Sequence, residues 1–302
     1  MNIDFGPALR KTVDFPSRPL PEEVLEAYPH RIFDVEYCVG FEEQKLDIWY
    51  PADGPGPYPA LVFFHGGAFS SCTKRDASIE TALRATERGY AVVCPEFRKS
   101  PQAHFPAMLY DAKAAIRFLR ANCKKYRLDC DRIAAMGFSS GGWVASMLGV
   151  TAGNPAFEDR SMGNAEQSSE VKAVIDVSGP CGGFLELDRQ LGVTGNHSAP
   201  DSPESRFMGV PVTEAPELVR LACPMSYIEG DIPPFLIIHG SADRVIPMGQ
   251  SEALFEKIRL IHGDDRARLH ICEGAGHVNE PWVKEQGLCA QILDFLDKNM
   301  IG

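Results

Sequence analysis

The sequence has 302 residues, of which 44% are apolar, enough to cover one large hydrophobic core. Its 41 acidic side chains outnumber the 30 basic ones for a formal charge of −11, which argues against nucleic acid, whose phosphates call for a basic face, and against an anionic membrane surface. The nine cysteines are odd in number and contain no Cys-x-x-Cys pair, so they read as free thiols in a reducing cytoplasm and not as a disulfide framework or a zinc site.

The segment Met1–Pro7 has neither a basic stretch nor an apolar one, and no run approaches the length of a membrane span; no secretory signal or membrane anchor is expected. Pro7, Pro16, Pro19, Pro21 and Pro29 predict a surface arm over residues 1–30, with one short helix near Glu22–Ala27. Runs rich in strand formers at Ile32–Val39 and Gln44–Tyr50, split by Gly40-Phe41-Glu42-Glu43, predict an antiparallel hairpin. After the breakers Pro51–Pro57, buried strands alternate with amphipathic helices, the signature of a mostly parallel sheet covered on both faces.

In that alternation Ala60–Phe64 is a strand that ends in His65-Gly66-Gly67-Ala68, residues 76–88 are a helix, and Tyr90–Cys94 is a strand. A helix is predicted over Ala107–Tyr126, with Met108, Ala112, Ala115, Ile116 and Leu119 on one face. Arg132–Met136 is a strand that breaks at Gly137-Phe138-Ser139-Ser140-Gly141, and Ser140–Val150 is the helix that follows. Residues 151–170 read as a loop and Val171–Val177 as a strand. Residues 179–232 show no strand-helix rhythm and are read as a cap inserted into a single 1–302 domain. Phe235–Ile238, Gln250–Ile261, Arg268–Cys272 and Trp282–Lys298 complete the pattern as strand, helix, strand and helix.

Gly-x-Ser-x-Gly between a strand and a helix is the pattern of a nucleophile elbow, in which small residues flank a serine held on a sharp turn. The pattern is short enough to arise by chance, so its weight depends on partners elsewhere. A serine hydroxyl needs a base to take its proton and an acid to orient that base. His277, in Gly274-Ala275-Gly276-His277 just after the last strand, lies where the C-terminal edge of an open sheet gathers site residues. Asp243 follows Phe235–Ile238 at the same edge, whereas Asp231, Asp264 and Asp265 precede their strands. For the oxyanion, the amides of Gly67, Ala68 and Ser140 are the expected donors. His65 is expected to brace its loop and His239 to be a core residue.

These motifs, together with Glu96-Phe97-Arg98-Lys99-Ser100-Pro101, Phe105-Pro106-Ala107 and Pro233-Pro234-Phe235, resemble esterases of the α/β-hydrolase superfamily. The similarity is to the hormone-sensitive-lipase-like and feruloyl or acetylxylan esterase-like groups, over roughly residues 40–300. It implies the α/β-hydrolase fold and hydrolysis of short-acyl esters, acetyl groups of sugars or xylan fragments included, by the triad Ser139, Asp243 and His277, with no cofactor and no metal. The expected partner is a small-molecule ester, with homodimers frequent among relatives. Ala68 stands where the hormone-sensitive-lipase pattern has a third glycine, which points toward the sugar-esterase-like branch. Amidases of the kynurenine formamidase type are the alternative, although Phe69 stands where those carry Trp; feruloyl esterase chemistry and a non-catalytic hydrolase-fold binding protein complete the readings. Phe69, Trp143 and the 179–232 segment either shape the substrate pockets or pack on the core, and periodicity leaves both open.

Overall fold

The computed structural model describes residues 17–278 and 285–301. Pro7 and Pro16 of the expected arm, and the first residues of the closing helix predicted from Trp282, lie outside these. A short helix α1 (Glu22–Ala27) precedes the hairpin β1 (Arg31–Glu36) and β2 (Lys45–Trp49), which pair antiparallel. Then come β3 (Tyr58–Phe64), β4 (Ala91–Pro95), β5 (Leu128–Phe138), β6 (Val174–Val177), β7 (Phe235–Gly240) and β8 (Ala267–Cys272). The eight-stranded sheet has the order β1-β2-β4-β3-β5-β6-β7-β8, with β4-β3-β5-β6-β7-β8 mutually parallel.

Every residue of β3 is buried, and its side chains alternate between two cores: Ala60, Val62 and Phe64 face one, Leu61 and Phe63 the other. That is the period of two expected of a strand covered on both faces. The first core is closed by α3 (Ala107–Ala121), α4 (Ser140–Val150) and α8 (Gly249–His262). The second is closed by turns of 3-10 and α geometry over Ala77–Ile79, α2 (Glu80–Leu83) and Arg84–Arg88, and by α9 (Gln286–Met300).

Several boundaries differ from the sequence pattern: β5 runs from Leu128 to Phe138 and not Arg132–Met136, and β1 ends at Glu36 and not Val39. Helix α3 ends at Ala121 and not Tyr126, because Asn122 turns its side chain back onto the Phe118 carbonyl at 2.9 Å and takes the chain out of the helix. The strand read from Val171 begins at Val174. Between β6 and β7 lie short helices only: α5 (Leu187–Leu191), α6 (Pro203–Met208) and α7 (Pro216–Leu221), with single 3-10 turns at Phe184–Glu186 and Pro224–Tyr227.

Candidate active site

Strand β5 can enter α4 so abruptly because two glycines let backbone meet backbone. A Cβ on Gly137 would lie 2.0 Å from the Gly141 carbonyl oxygen, and one on Gly141 would lie 2.0 Å from that of Phe64. Between them Ser139 takes φ 55° and ψ −122°, a conformation that L side chains avoid and that surrounding contacts must enforce. Ser139 N–H donates to Val177 O at 2.9 Å, and Trp143 N–H donates to Ser139 O at 3.1 Å. The serine is thus tied to β6 on one side and to its own helix on the other.

The loops after β7 and β8 are drawn together by Ala242 N–H donating to Ala275 O at 2.8 Å and Ser241 N–H donating to Cys272 O at 3.0 Å. This places Asp243 and His277, 34 residues apart in sequence, in contact: His277 Nδ1 lies 2.7 Å from Asp243 Oδ2. On its other edge, His277 Nε2 lies 3.0 Å from Ser139 Oγ. Asp243 Oδ1 accepts from the amides of Val245 at 2.8 Å and Ile246 at 2.9 Å. Burial works against its charge, but His277 and His239 hold the carboxyl well below the usual carboxylate range. An ionised Asp243 accepts from Nδ1–H, which leaves Nε2 to accept the Ser139 hydroxyl proton.

Above the serine, the turn after β3 runs through positive φ at Gly67 (115°), Ala68 (52°) and Phe69 (63°). Only glycine fits at 67, where a Cβ would lie 2.2 Å from Ser71 O. Ser70 N–H, Ser71 N–H and Ser71 Oγ–H all donate to Gly67 O. Among the described residues the amides of Gly67 and Ala68 donate no backbone hydrogen bond. Ser140 is the first residue of α4, so its amide has no partner within the helix. Gly66, Gly67, Ala68, Ser139 and His277 share one cavity of about 270 Å³.

Three features of this site were not legible as site residues in the sequence. Glu96 anchors the turn: its Oε1 lies 3.0 Å from His65 Nε2 and accepts from Lys99 Nζ at 2.8 Å, while Oε2 accepts from Lys74 N–H at 3.0 Å. Burial opposes its charge, yet His65 and Lys99 hold it down to about 2. His65 also stacks on Phe97, with ring centroids 4.5 Å apart. His239 is fully buried, but it lies 3.4 Å from Asp243 Oδ2 and so backs the acid and is more than a core residue. Finally, the far wall of the cavity comes from Arg18, Cys72, Asp76 and Ser78. Arg18 N–H donates to Asp76 Oδ2 at 2.8 Å and Ala77 N–H to Arg18 O at 2.7 Å, a pairing between distant segments with no local signal.

Phe69 and Trp143, by contrast, are buried away from the cavity. They form an aromatic cluster with Phe105, Phe184 and Phe207, in which Phe69 stacks on Phe207 at 4.2 Å, and Trp143 Nε1–H donates to Ala222 O at 2.6 Å. Among the described residues none of the cavity lining comes from 179–232.

The family model BD-FAE matches residues 46–258. Esterase LipC of Mycobacterium tuberculosis is 30% identical over 246 residues, which span 78% of this chain and 56% of LipC, so the chain spans about half the length of the curated relatives it matches. A truncated carbohydrate esterase from gut microbiota superposes with a TM-score of 0.82 at 29% identity, covering 94% of this chain and 100% of that one. A bifunctional GH43-CE protein of Bacteroides eggerthii superposes with a TM-score of 0.81 at 32% identity, covering 89% of this chain and 35% of that one. The family match and the parallel sheet with its strand-turn-helix at Ser139 agree: the chain belongs to the BD-FAE family and has the α/β-hydrolase fold.

Proposed function

We propose that this chain is a serine carboxylesterase that removes short acyl groups, acetyl above all, from small esters, O-acetylated sugars among them. The observation that carries the reading is the unbroken line from Asp243 through His277 to Ser139, at 2.7 and 3.0 Å. Ser139 Oγ attacks the ester carbonyl as its proton passes to His277 Nε2, and Asp243 stabilises the imidazolium that results. The amides of Gly67, Ala68 and Ser140 receive the negative charge that develops on the carbonyl oxygen. The C–O bond to the alcohol then breaks, with the proton on His277 going to the leaving oxygen. In the second half, water gives a proton to His277, attacks the acyl-serine and releases the acid with Ser139 restored. This sequence needs no cofactor.

The short-acyl preference is supported by the size of the cavity, and the sugar preference by its polar far wall of Arg18, Asp76 and Ser78 and by the carbohydrate esterases among similar structures. A cytoplasmic setting belongs to the same reading, supported by nine free cysteines; no helix among the described residues is long and apolar enough to cross a membrane. The test is turnover of a chromogenic acetate ester by Ser139→Ala. A loss on the order of 10⁶-fold in kcat is expected, and near-normal turnover would overturn the assignment. Acetylated sugars, feruloyl esters and matched N-formyl amides, run side by side, separate sugar ester from aromatic ester and amide chemistry.

A further inference from the structure

The Gly-Gly pair that follows Ser140 is only half explained by the elbow. Gly141 is required by the Phe64 carbonyl, but Gly142 answers to a different neighbour: a Cβ there would lie 2.3 Å from Asp176 Oδ1. Gly179 meets the same oxygen at the same 2.3 Å, and its amide donates to it at 2.9 Å. Two glycines on two separate segments therefore make room for one carboxyl group.

That group is fully buried. Asp176 pairs in register with Gly137 of β5, the glycine that opens the elbow, and with Ile237 of β7. His239, two residues beyond Ile237, belongs to the same face of the sheet. Burial opposes the charge of Asp176, while the Cys181 thiol of the loop after β6, His239 of β7, the Gly179 amide and the Ser146 hydroxyl of α4 favour it. Burial and the nearby carboxyl push the Cys181 thiol up, so it stays protonated. Asp176 Oδ1 accepts from Gly179 N–H, whereas Asp176 Oδ2 and Ser146 Oγ are buried without a hydrogen-bond partner among the described residues. His239 is held by Ser251 Oγ at 2.7 Å and Ile246 O at 2.9 Å, and touches Asp243 Oδ2 at 3.4 Å. One histidine thus contacts Asp243 and lies on the same face of the sheet as a second buried carboxyl, Asp176.

We propose that Asp176 is a positioning residue of the esterase site: its carboxyl fixes the first turn of α4 against the loop after β6 and, through His239, sets the charge environment of Asp243 and His277. The inference rests on the reading of Ser139 as nucleophile. Burial pushes the Asp176 carboxyl up to about 6, so it changes charge within the range in which a histidine base works. Ionised, it favours the imidazolium that forms as Ser139 attacks; neutral, it withdraws that support.

Asp176→Asn keeps the shape and the acceptor for Gly179 N–H while removing the titration. In kcat/KM for an acetate ester between pH 4.5 and 8.5, the wild-type acid limb is expected to be steeper than one proton. In the variant it becomes a one-proton limb with its midpoint lower by about 0.5 pH unit. Melting over the same range gives the second readout: the variant gains on the wild type as pH rises from about 4 to 7, because a raised carboxyl loses stability on ionising. An unchanged acid limb overturns the proposal, whether or not the melting difference follows pH, since burial alone then accounts for Asp176. If Asp176→Asn does not fold, Ser146→Ala takes its place; losing a hydroxyl that favours the carboxylate must move the acid limb upward, and an unmoved limb is fatal. The Ser139→Ala measurement stands apart, because its failure would remove the esterase reading and leave the titration of Asp176 untouched.

Discussion

The backbone of Ser139 is held by bonds that also turn the chain: its N–H donates to Val177 O and its carbonyl accepts from Trp143 N–H. On the proposed esterase reading, Asp243 is the most sensitive of the residues around it. Asp243 has both oxygens occupied, one by two loop amides and the other by His277, so replacing it with Asn leaves the loop in place but puts an amide where the imidazole N–H points. The wrong tautomer of His277 then faces Ser139, and kcat is expected to fall about 10⁴-fold with little change in KM; a fall of less than tenfold would mean that another group orients His277. Gly67→Ala tests the other half of the chemistry. At φ 115° and with Ser71 O in the way, the added methyl must push the turn off its position. Loss of one oxyanion donor corresponds to about 10²–10³ in kcat, and steady-state kinetics at saturating ester would show it. Ser139, Asp243, His277, Gly67, Ala68 and Ser140 were proposed from residue type and position relative to the strands, and the fold brings Ser139, His277 and Asp243 into one line. Glu96 was not, because its partners His65, Lys74 and Lys99 come from three segments and a glutamate in a polar stretch looks like any surface residue.

At the scale of elements, Ser139, Asp243 and His277 follow the C-terminal ends of β5, β7 and β8, while the aromatic cluster joins α4 to the 179–232 segment. Trp143 sits in the first turns of α4, immediately after the serine, yet it faces Phe69, Phe105, Phe184 and Phe207 and bonds to Ala222. Trp143→Ala is therefore expected to cost about 3–5 kcal/mol in denaturant unfolding and to loosen the 179–232 segment, while the cavity at Ser139, lined from elsewhere, keeps its residues. Limited proteolysis within 179–232 would report that loosening, and unchanged cleavage would show the segment to be held by other contacts. Helix and strand identities were legible because buried parallel strands and amphipathic helices differ in period. Where the prediction missed, as at the end of α3, one side chain competed with the helix for its own backbone.

For the whole molecule, buried carboxylates held in their charged form contribute to the response to acid. Glu96 and Asp243 are held down by histidines and a lysine, so their contribution is complete above their unfolded values near 4 and is lost as pH falls through the folded ones. For Glu96, a drop from 4.5 to about 2 corresponds to on the order of 3 kcal/mol. Melting temperature is expected to decline between pH 5 and 2, and Glu96→Gln should flatten that decline; an equally steep decline in the variant would mean that the pair is worth nothing. The sequence by itself determined the parallel sheet, the elbow and the order of serine, acid and histidine, because those depend on local period, on glycine's lack of a Cβ and on which end of a strand a loop leaves. Only the tertiary structure decided that Arg18 and Asp76 wall the cavity, that Phe69 and Trp143 do not, that His239 touches Asp243, and that Asp176 is buried against Gly142 and Gly179. Those facts are contacts between segments far apart in the chain, made by side chains whose neighbours are chosen by packing and leave no period or motif in the sequence.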